Sequence, residues 1–491
     1  MELAVVADRH AELPLTEQIA AQLRDVLSGG RLAAGERLPS TRALAVALGV
    51  SRTVVTAAYT QLFAEGWLEG RHGSGTYVAP GAIAPLRAGP APAATAPPSR
   101  PVAAAAAARP AGSRTVGLGT VGPQPEPVPS VNLRPGIPWQ AGIDPAAWRR
   151  AWRHAGTEPV SAQPDPRGPD PRGHSALREA LTGYLRRGRG VCAAADQILV
   201  TRGVSAGLGL VAAALLRPGD RVGVEEPGYQ AARAVFASRG ARLVPCRVDG
   251  DGLVVDELPD DLRLVYTTPA HQYPLGGRLP VPRRQALAAW ARSTGALIVE
   301  DDYDGEFRYD VAPLPTLFGL DPDLVIYLGT TSKTLTPALG AGWLVARPDL
   351  LPAFTAAAVN LGERVSGPVQ HAVTELLASG ELERHVRRMR HEYARRRAVM
   401  VTALAGRLSG DTAGMHMVLE LPPGTATAVA RAARERGVEV ATLDRYFGGP
   451  PTLEGLMLGY GAADLAAVSR GCQVIAEILS GLPGTRGAAP R

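Results

Sequence analysis

The chain has 491 residues, of which 46% are hydrophobic and 20% are charged. This composition excludes a wholly disordered protein and suggests two to four domains. The longest apolar stretch, residues 208–216, is too short to cross a bilayer, so we expect no membrane partner. The three cysteines are widely separated, which excludes a disulfide framework and a structural zinc site. We therefore expect a cytoplasmic protein without a bound metal.

The cationic residues of the chain are almost all of one type. Lys and Arg total 52 against 46 Asp and Glu, which gives a net charge of +6, and the single lysine is Lys333. Arginine replaces lysine well as a solvated cation, but it does not replace it as an amine nucleophile because guanidinium stays protonated. One lysine surviving by chance is the ordinary explanation. Retention of an amine for chemistry is the alternative, and the residues around Lys333 decide between them.

A proline-rich segment divides the chain. Residues 80–130 hold twelve prolines and one acidic residue, Glu126. Such a composition does not form a core, so we expect a flexible linker between an N-terminal domain at residues 1–79 and a C-terminal domain at residues 131–485. Residues 1–80 carry seven Arg against eight Asp and Glu. Net charge alone therefore does not predict nucleic-acid binding by the N-terminal domain.

The N-terminal block predicts three helices followed by a hairpin. Residues 15–28 place apolar side chains at helical spacing. Ser40 and Ser51 each stand where a helix needs an N-cap, and Gly49 supplies the tight turn between the two capped helices. Residues 67–79 alternate like a small hairpin. Together these elements predict a winged helix-turn-helix, with a small helical packing domain as the ordinary alternative.

The run GERLPSTRALAVALGVSRTVVTAAYTQLFAEGWLEGRHGSGTYV resembles the GntR-type DNA-binding domain, and the resemblance extends over residues 14–78. It implies that the second helix of the helix-turn-helix enters the major groove of double-stranded DNA. The family often has a long polar residue where this chain has Thr56, so contact there is less clearly implied. By position, the residues implied to contact DNA are Arg42, Ser51, Arg52, Thr53, Arg71, His72 and Gly73.

The C-terminal block alternates buried strands with helices. This order predicts a mainly parallel α/β sheet with ligands at the carboxyl ends of its strands, followed by a long Arg-rich helix and a smaller α/β segment. Lys333, Asp301 and Tyr229 follow or close predicted strands, and Gly203 opens a helix. An amine, a carboxylate, an aromatic face and a helix start for a phosphate are what pyridoxal phosphate requires. Each residue alone is an ordinary turn residue, but their coincidence with the single lysine favours the cofactor.

The segments EEPGY, TTPAHQYPLG, EDDYDGEFRY and YLGTTSKTLTPAL resemble the fold-type I aminotransferases. The whole chain is similar to the MocR/GabR-type transcription regulators over residues 14–78 and 131–480. The resemblance implies a Schiff base between pyridoxal phosphate and Lys333, with Asp301 on the pyridine nitrogen and Tyr303 on the ring hydroxyl. It also implies that Tyr229 stacks on the ring. Around the phosphate it implies Gly203, Val204, Ser205, Thr330 and Ser332, and along the other edge of the ring His271, Gln272 and Tyr273.

Four positions depart from these families. Gly340 stands where an arginine usually pairs with the phosphate, and Met457 stands where aminotransferases bind the substrate carboxylate with an arginine. Ala231 replaces a second arginine of the GABA-responsive relatives, and Gly168 replaces a tyrosine that reaches the phosphate of the partner subunit. Arg134 is the candidate to supply the missing charge. We expect the cofactor to be retained while transamination is absent or slow.

The sequence as a whole predicts a homodimeric DNA-binding transcription regulator that senses a small molecule, such as an amine or an amino acid, and is not an enzyme. When bound to DNA it would be associated with the nucleoid. One alternative is an active aminotransferase with a DNA-binding appendage, which Met457 disfavours. Another is a degenerate sensor without the cofactor, which the intact set of residues around Lys333 disfavours.

Overall fold

Three short helices and a hairpin form the N-terminal part of the fold. The computed structural model describes residues 5–9, 11, 13–28, 32–71, 75–79, 131–157, 170–310, 314–404 and 406–481. The predicted linker at 80–130 lies outside these residues. The elements are α1 (Leu15–Ser28), α2 (Thr41–Leu48), α3 (Arg52–Glu65), β1 (Leu68–Arg71) and β2 (Gly75–Val78). The two strands pair antiparallel, with Leu68 opposite Val78, as the sequence predicts for a wing.

The predicted capping residues set the ends of the helix-turn-helix. The Ser40 hydroxyl accepts a hydrogen bond from the Ala43 N–H at 3.1 Å, and the Ser51 hydroxyl accepts one from the Val54 N–H at 3.4 Å. Gly49 ends α2 with φ 62°, in the left-handed region that glycine favours. The geometry of the turn between α2 and α3 therefore follows from local sequence. A shared apolar core holds the helices together, with Ile19, Leu23, Val55, Leu62 and Trp67 all buried.

Fourteen strands and eleven helices follow in the described part of the C-terminal block. The strands are β3 (Val131–Asn132), β4 (Ile198–Thr201), β5 (Arg221–Glu226), β6 (Arg242–Asp249), β7 (Gly252–Leu253), β8 (Leu264–Thr267), β9 (Leu297–Asp302), β10 (Val325–Thr330), β11 (Gly342–Val345), β12 (Leu408–Ser409), β13 (His416–Glu420), β14 (Val438–Glu439), β15 (Ala441–Thr442) and β16 (Gly455–Gly459). The helices are α4 (Pro145–Thr157), α5 (Ser175–Arg189), α6 (Val204–Leu215), α7 (Gln230–Ser238), α8 (Val281–Thr294), α9 (Leu317–Leu320), α10 (Leu351–Leu361), α11 (Gly367–Ala378), α12 (Glu381–Ala403), α13 (Ala426–Glu435) and α14 (Leu465–Ser480). Within the described ranges, no helix is both long and apolar enough to cross a membrane.

An eight-stranded sheet forms the centre of the large domain. Its strand order is β4-β11-β10-β9-β8-β5-β6-β7. The five strands from β10 to β6 run parallel, while β11 is antiparallel to both of its neighbours and β7 is antiparallel to β6. Strands β4, β8, β9 and β10 are buried along their whole length, as expected when helices cover both faces of a sheet. The predicted mainly parallel α/β sheet is confirmed.

A smaller four-stranded sheet, in the order β12-β13-β16-β15, follows the long helix α12. All of its strand pairs are antiparallel. Strand β3 pairs in parallel with β14, so the segment directly after residue 130 joins the C-terminal part of the chain. This pairing carries residues 133–137 along the end of β16, because the Gly459 N–H donates to the Leu133 carbonyl at 2.7 Å.

A buried ion pair connects α5 to the end of β9. Arg189 donates to the two carboxylate oxygens of Asp302 at 2.5 and 2.9 Å, and both side chains are 1% exposed. The Tyr327 hydroxyl donates to the same carboxylate at 2.7 Å. The bidentate contact satisfies two charges that burial would otherwise leave without a partner.

We predict that Asp302→Ala lowers the free energy of unfolding of the large domain by about 3–5 kcal/mol, because Arg189 is left buried without its partner. Urea unfolding measures this change. Asp261→Ala is the matched control, since the Arg221–Asp261 pair has side chains 36% and 63% exposed and its loss should leave the free energy of unfolding nearly unchanged. Equal losses for the two variants would contradict the structural role given to the buried pair.

Candidate functional site

The exposed start of α3 presents the residues predicted to contact DNA. Ser51, Arg52 and Thr53 are exposed there, and Arg42 is exposed on α2. The Arg52 guanidinium lies 3.4 Å from the Thr41 hydroxyl. Among the described residues, no carboxylate pairs with Arg42 or Arg52. Both cations are therefore available to phosphates or base edges at the helix start.

The tip of the wing is described only in part. The backbone of Arg71 pairs with Gly75 at the end of the hairpin. The Arg71 side chain, His72 and Gly73 lie outside the described residues. Their predicted contacts with DNA stay predictions.

The predicted cofactor residues meet at the carboxyl ends of the parallel strands. Lys333 follows β10, and its amine donates to the Gly136 carbonyl at 2.6 Å. Gly136 has φ 75°, in the left-handed region that glycine favours, and a Cβ at this position would lie 2.8 Å from the lysine nitrogen. Burial lowers the pKa of Lys333, while Asp304 and Asp301 act in the opposite direction. A lowered pKa favours the neutral amine that reacts with a carbonyl.

Asp301, on β9, is a buried carboxylate with one free oxygen. The Tyr266 hydroxyl donates to its Oδ2 at 2.6 Å, whereas its buried Oδ1 has no hydrogen-bond partner. Burial raises the pKa of Asp301 to about 7, and the Tyr266 hydrogen bond opposes this shift. A buried acceptor without a donor is costly. The N–H of a protonated pyridine ring is a donor of the kind that Oδ1 lacks.

The start of α6 and the end of β10 form the predicted phosphate cradle. Helix α6 begins at Val204 directly after Gly203, which has φ 104°. The Thr330 and Ser332 hydroxyls lie 2.9 Å apart, and a Cβ on Gly203 would lie 3.6 Å from the Thr330 hydroxyl. Ser205 lies in the first turn of α6, and its side chain acts to lower the pKa of Tyr229 against the stronger effect of burial. The fold thus gathers these residues beside a helix N-terminus, where amide groups favour an anion.

Three tyrosine rings lie side by side in the predicted cofactor site. The rings of Tyr229 and Tyr273 are perpendicular with centroids 5.9 Å apart, and those of Tyr273 and Tyr303 are 5.6 Å apart. Burial raises the pKa of Tyr303 well above its usual value, so its hydroxyl keeps its proton. A neutral hydroxyl suits the predicted role of Tyr303 as a donor to the ring oxygen of the cofactor.

A buried glutamate anchors the loop that carries Tyr273. Glu225 accepts hydrogen bonds from the Thr267 and Thr268 hydroxyls at 2.6 and 2.7 Å, and from the Gln272 amide at 3.2 Å. The Tyr273 N–H donates to the Thr268 hydroxyl at 2.9 Å. Gln272 therefore lies behind the tyrosine as part of its support, although the family resemblance implies that it lines the ring edge.

His271 lies next to Tyr303 in the same buried cluster. Its Nδ1 is 2.9 Å from the Tyr303 hydroxyl and 3.1 Å from the Asp304 carboxylate. The Asp304 carboxylate favours the tautomer with a proton on Nδ1, because an unprotonated nitrogen would repel the carboxylate. That proton then points at the Tyr303 oxygen as well. The hydroxyl of Tyr303 is left with its own proton to donate.

The structure describes the surroundings of two positions, Met457 and Gly340, at which the chain departs from the family. Met457 is fully buried and packs in an apolar cluster with Val418, Leu443 and Tyr446. Gly340 lies in the left-handed region at φ 53°, where any side chain would be strained. Gly168 lies outside the described residues.

Sequence reasoning missed three contributors to the site. Tyr266 lies inside a buried strand, where a tyrosine gives no functional signal, yet it holds Asp301. Gly136 is far from Lys333 in sequence and carried no signal beyond its place in the LRPG segment. Arg445 comes from the smaller domain and lines a pocket with Tyr229 and Tyr273. Only the three-dimensional fold brings these residues together.

Comparison with known proteins supports both parts of this description. Residues 15–78 match the bacterial regulatory proteins of the gntR family, and residues 137–453 match aminotransferase class I and II. The chain is 35% identical to the HTH-type pyridoxine biosynthesis transcriptional regulator PdxR of Corynebacterium glutamicum, covering 94% of this chain and 95% of that protein. It is also 35% identical to the probable rhizopine catabolism regulatory protein MocR of Rhizobium meliloti, covering 99% and 98%.

The large domain is also similar to solved aminotransferases. The α-aminoadipate aminotransferase LysN from Thermus thermophilus, complexed with N-(5'-phosphopyridoxyl)-L-leucine, has a TM-score of 0.65 and 26% identity, covering 72% of this chain and 92% of that chain. The similarity to the two regulators extends over nearly the full length of each chain, so it includes both parts. The chain belongs to the MocR-type family of transcription regulators, in which a GntR-type DNA-binding domain precedes an aminotransferase class I and II domain.

Proposed function

We propose that this regulator holds pyridoxal phosphate on Lys333 and changes its binding to promoter DNA when a small molecule enters the same site. The observation that carries the cofactor assignment is the buried Asp301 Oδ1, which has no hydrogen-bond partner. The Asp301 carboxylate is close enough to Lys333 to act on its pKa, so both groups belong to one site. An unpaired buried acceptor destabilises the fold, so a cofactor whose ring N–H reaches Oδ1 would stabilise this site.

The chain's own residues divide the work of holding the cofactor. Asp301 would keep the ring nitrogen protonated, Tyr303 would donate to the ring oxygen, and Tyr229 would flank the ring. The phosphate would be held by the residues of its cradle: Gly203, Val204, Ser205, Thr330 and Ser332. When bound, pyridoxal phosphate supplies an electrophilic carbon that reacts with amines.

We infer that turnover as an aminotransferase is absent or slow. In the aminotransferases an arginine pairs with the carboxylate of the substrate, and Met457 stands there, buried among apolar side chains. Losing one partner of a buried ion pair typically costs about 3–5 kcal/mol. An active aminotransferase with a DNA-binding appendage remains the second candidate, and the aminotransferase fold of the large domain supports it.

A second proposal concerns the signal. The similarity to a regulator named for pyridoxine biosynthesis favours pyridoxal phosphate itself as the sensed molecule, with Lys333 as the point of capture. A site that senses its cofactor does not require the substrate arginine that Met457 replaces. We propose further that the protein acts as a cytoplasmic homodimer, because a large domain of this fold places its site at a subunit interface.

We predict that the purified protein gains a visible absorbance band when pyridoxal phosphate is added, and that Lys333→Ala abolishes the band because the chain has no other lysine. Absorbance titration measures it. The α-helical circular dichroism of the variant and its affinity for DNA serve as controls for folding. A band that persists unchanged in the folded variant would exclude Lys333 as the attachment point.

The raised pKa of Asp301 predicts how the stability of the cofactor-free protein depends on pH. The folded pKa of about 7 exceeds the unfolded value of 3.8, so the folded state binds the extra proton between these values. The free energy of unfolding contributed by this group therefore falls as the pH rises from about 4 to about 7, by roughly 4 kcal/mol. Asp301→Asn removes this fall. Thermal unfolding of both proteins across this range tests it, and parallel pH profiles would contradict it.

Arg52→Ala should weaken binding to a specific DNA duplex by roughly 5- to 100-fold, because the variant loses a guanidinium at the helix start. Fluorescence anisotropy at fixed salt measures this loss. Thr60→Ala is the control, since Thr60 is exposed further along α3 and its hydroxyl bonds the Thr56 carbonyl of the same helix. Unchanged affinity in Arg52→Ala would show that this end of α3 does not face the DNA.

A further inference from the structure

A pocket of about 240 Å³ opens beside the tyrosines of the cofactor site. The rings of Tyr229, Tyr273 and Tyr446 form part of its wall. Arg134 and Arg445 line the same pocket. The remaining lining residues are Pro135, Gln230, Ala231 and Ala441. The lining therefore includes two arginines and no acidic residue.

Arg134 and Arg445 have no internal counter-charge among the described residues. Within the described residues, no ion pair or side-chain hydrogen bond engages Arg134 or Arg445. The Arg445 guanidinium lies 5.8 Å from the centre of the Tyr446 ring. By contrast, the nearby Arg233 pairs with Glu226. Guanidinium groups beside aromatic walls, without an internal counter-charge, favour the binding of an anion.

The backbone of Arg445 is fixed against the start of α7. Tyr446 accepts hydrogen bonds on its carbonyl from the Gly228 N–H at 3.0 Å and from the Arg233 guanidinium at 2.7 Å. The Gln230 side chain donates to the Arg445 carbonyl. The turn that carries Arg445 therefore belongs to the wall of the cofactor site rather than to a free loop.

The backbone of Arg134 is fixed as closely. Its N–H donates to the Asn132 side chain at 3.0 Å. Its carbonyl packs on β16, where a Cβ added to Gly459 would lie 2.3 Å from it. Two residues further along the chain, Gly136 contacts Lys333. Arg134 thus lines the pocket from the same segment whose Gly136 carbonyl accepts a hydrogen bond from the Lys333 amine.

The pocket also lies where the family's two arginines are missing. Ala441, in its lining, is paired directly opposite Met457 in the register of β15 and β16. Ala231, the other position that lacks an arginine, is itself a lining residue. Arg134 and Arg445 therefore supply positive charge at the place from which Met457 and Ala231 have removed it.

We propose that Arg134 and Arg445 bind the anionic group, a carboxylate or a phosphate, of the small-molecule effector. The assignment deepens the proposed function and rests on it, since it places the effector against the tyrosines that would flank the cofactor. Charge-assisted hydrogen bonds to guanidinium select such groups over neutral ones. An effector of this regulator accordingly carries an anion beside whatever group approaches Lys333.

Calorimetric titration of the full-length protein tests this site with three probes: inorganic phosphate, succinate and the neutral succinamide. Each is titrated into wild type, Lys333→Ala, Arg445→Gln and Arg134→Gln. The matched control is Arg239→Gln, because Arg239 is exposed at the end of α7 and does not line the pocket. Lys333→Ala separates the two proposals, since it removes attachment of the cofactor and leaves both arginines in place.

We expect at least one anion, but not succinamide, to bind wild type and Lys333→Ala. Arg445→Gln and Arg134→Gln should each weaken that binding about tenfold or more, and Arg239→Gln should not. Stronger binding of phosphate would indicate a phosphorylated effector, and stronger binding of succinate a carboxylate effector. No anion binding, or equal binding to wild type and both pocket variants, would overturn the proposal. If the protein binds an anion in a way that depends on Arg445 but never takes up pyridoxal phosphate, the proposed function is contradicted and the proposed anion site is not.

Discussion

The central strand β9 ends in three consecutive buried carboxylates. The arrangement of the large domain around them depends on which groups donate hydrogen bonds to each carboxylate. Glu300 accepts hydrogen bonds from the Leu317 and Phe318 amides at 2.9 Å each. Asp302 is held by Arg189 at both oxygens. Asp301 has only the Tyr266 hydroxyl, on one oxygen. Burying an acid without partners is expensive, and of the three carboxylates on β9 Asp301 is the one whose second oxygen has no donor in the described structure. A ligand that supplies this donor would stabilise the site.

The helix ends of the winged helix are set by its own caps at Ser40 and Ser51, but its apolar core also includes Val281, at the start of α8 in the large domain. The DNA-binding domain and the large domain therefore share a packing contact. The departures at Met457 and Gly340 affect the sensing domain alone. Met457 removes a charge that binds the substrate in the aminotransferases, and Gly340 removes one that usually pairs with the phosphate, whereas Lys333, Asp301 and Tyr303 are retained. This pattern is consistent with a site that detects a molecule rather than converting it.

The helix-turn-helix, the parallel sheet and part of the candidate site could be predicted from sequence, because each depends on local or repeated sequence patterns. Ser40, Ser51 and Gly49 act through their immediate neighbours, so the helix-turn-helix could be predicted from spacing and capping chemistry. The parallel sheet followed from buried strands alternating with helices, and the strand ends placed Asp301 and Lys333 at one edge. Arg445 and Gly136 could not be found in this way, because the pairing of β3 with β14 and the packing of the small domain are long-range contacts without a local signature.

If pyridoxal phosphate is itself the sensed molecule, its occupancy of the site must control DNA binding. The most direct measurement is the affinity of the full-length protein, at fixed salt, for a duplex that it selects from a random library, with the cofactor fully removed and then restored. We expect the affinity to change between the two states, and we expect Lys333→Ala not to show this change. Identical affinities in both states, with occupancy verified by absorbance, would contradict it.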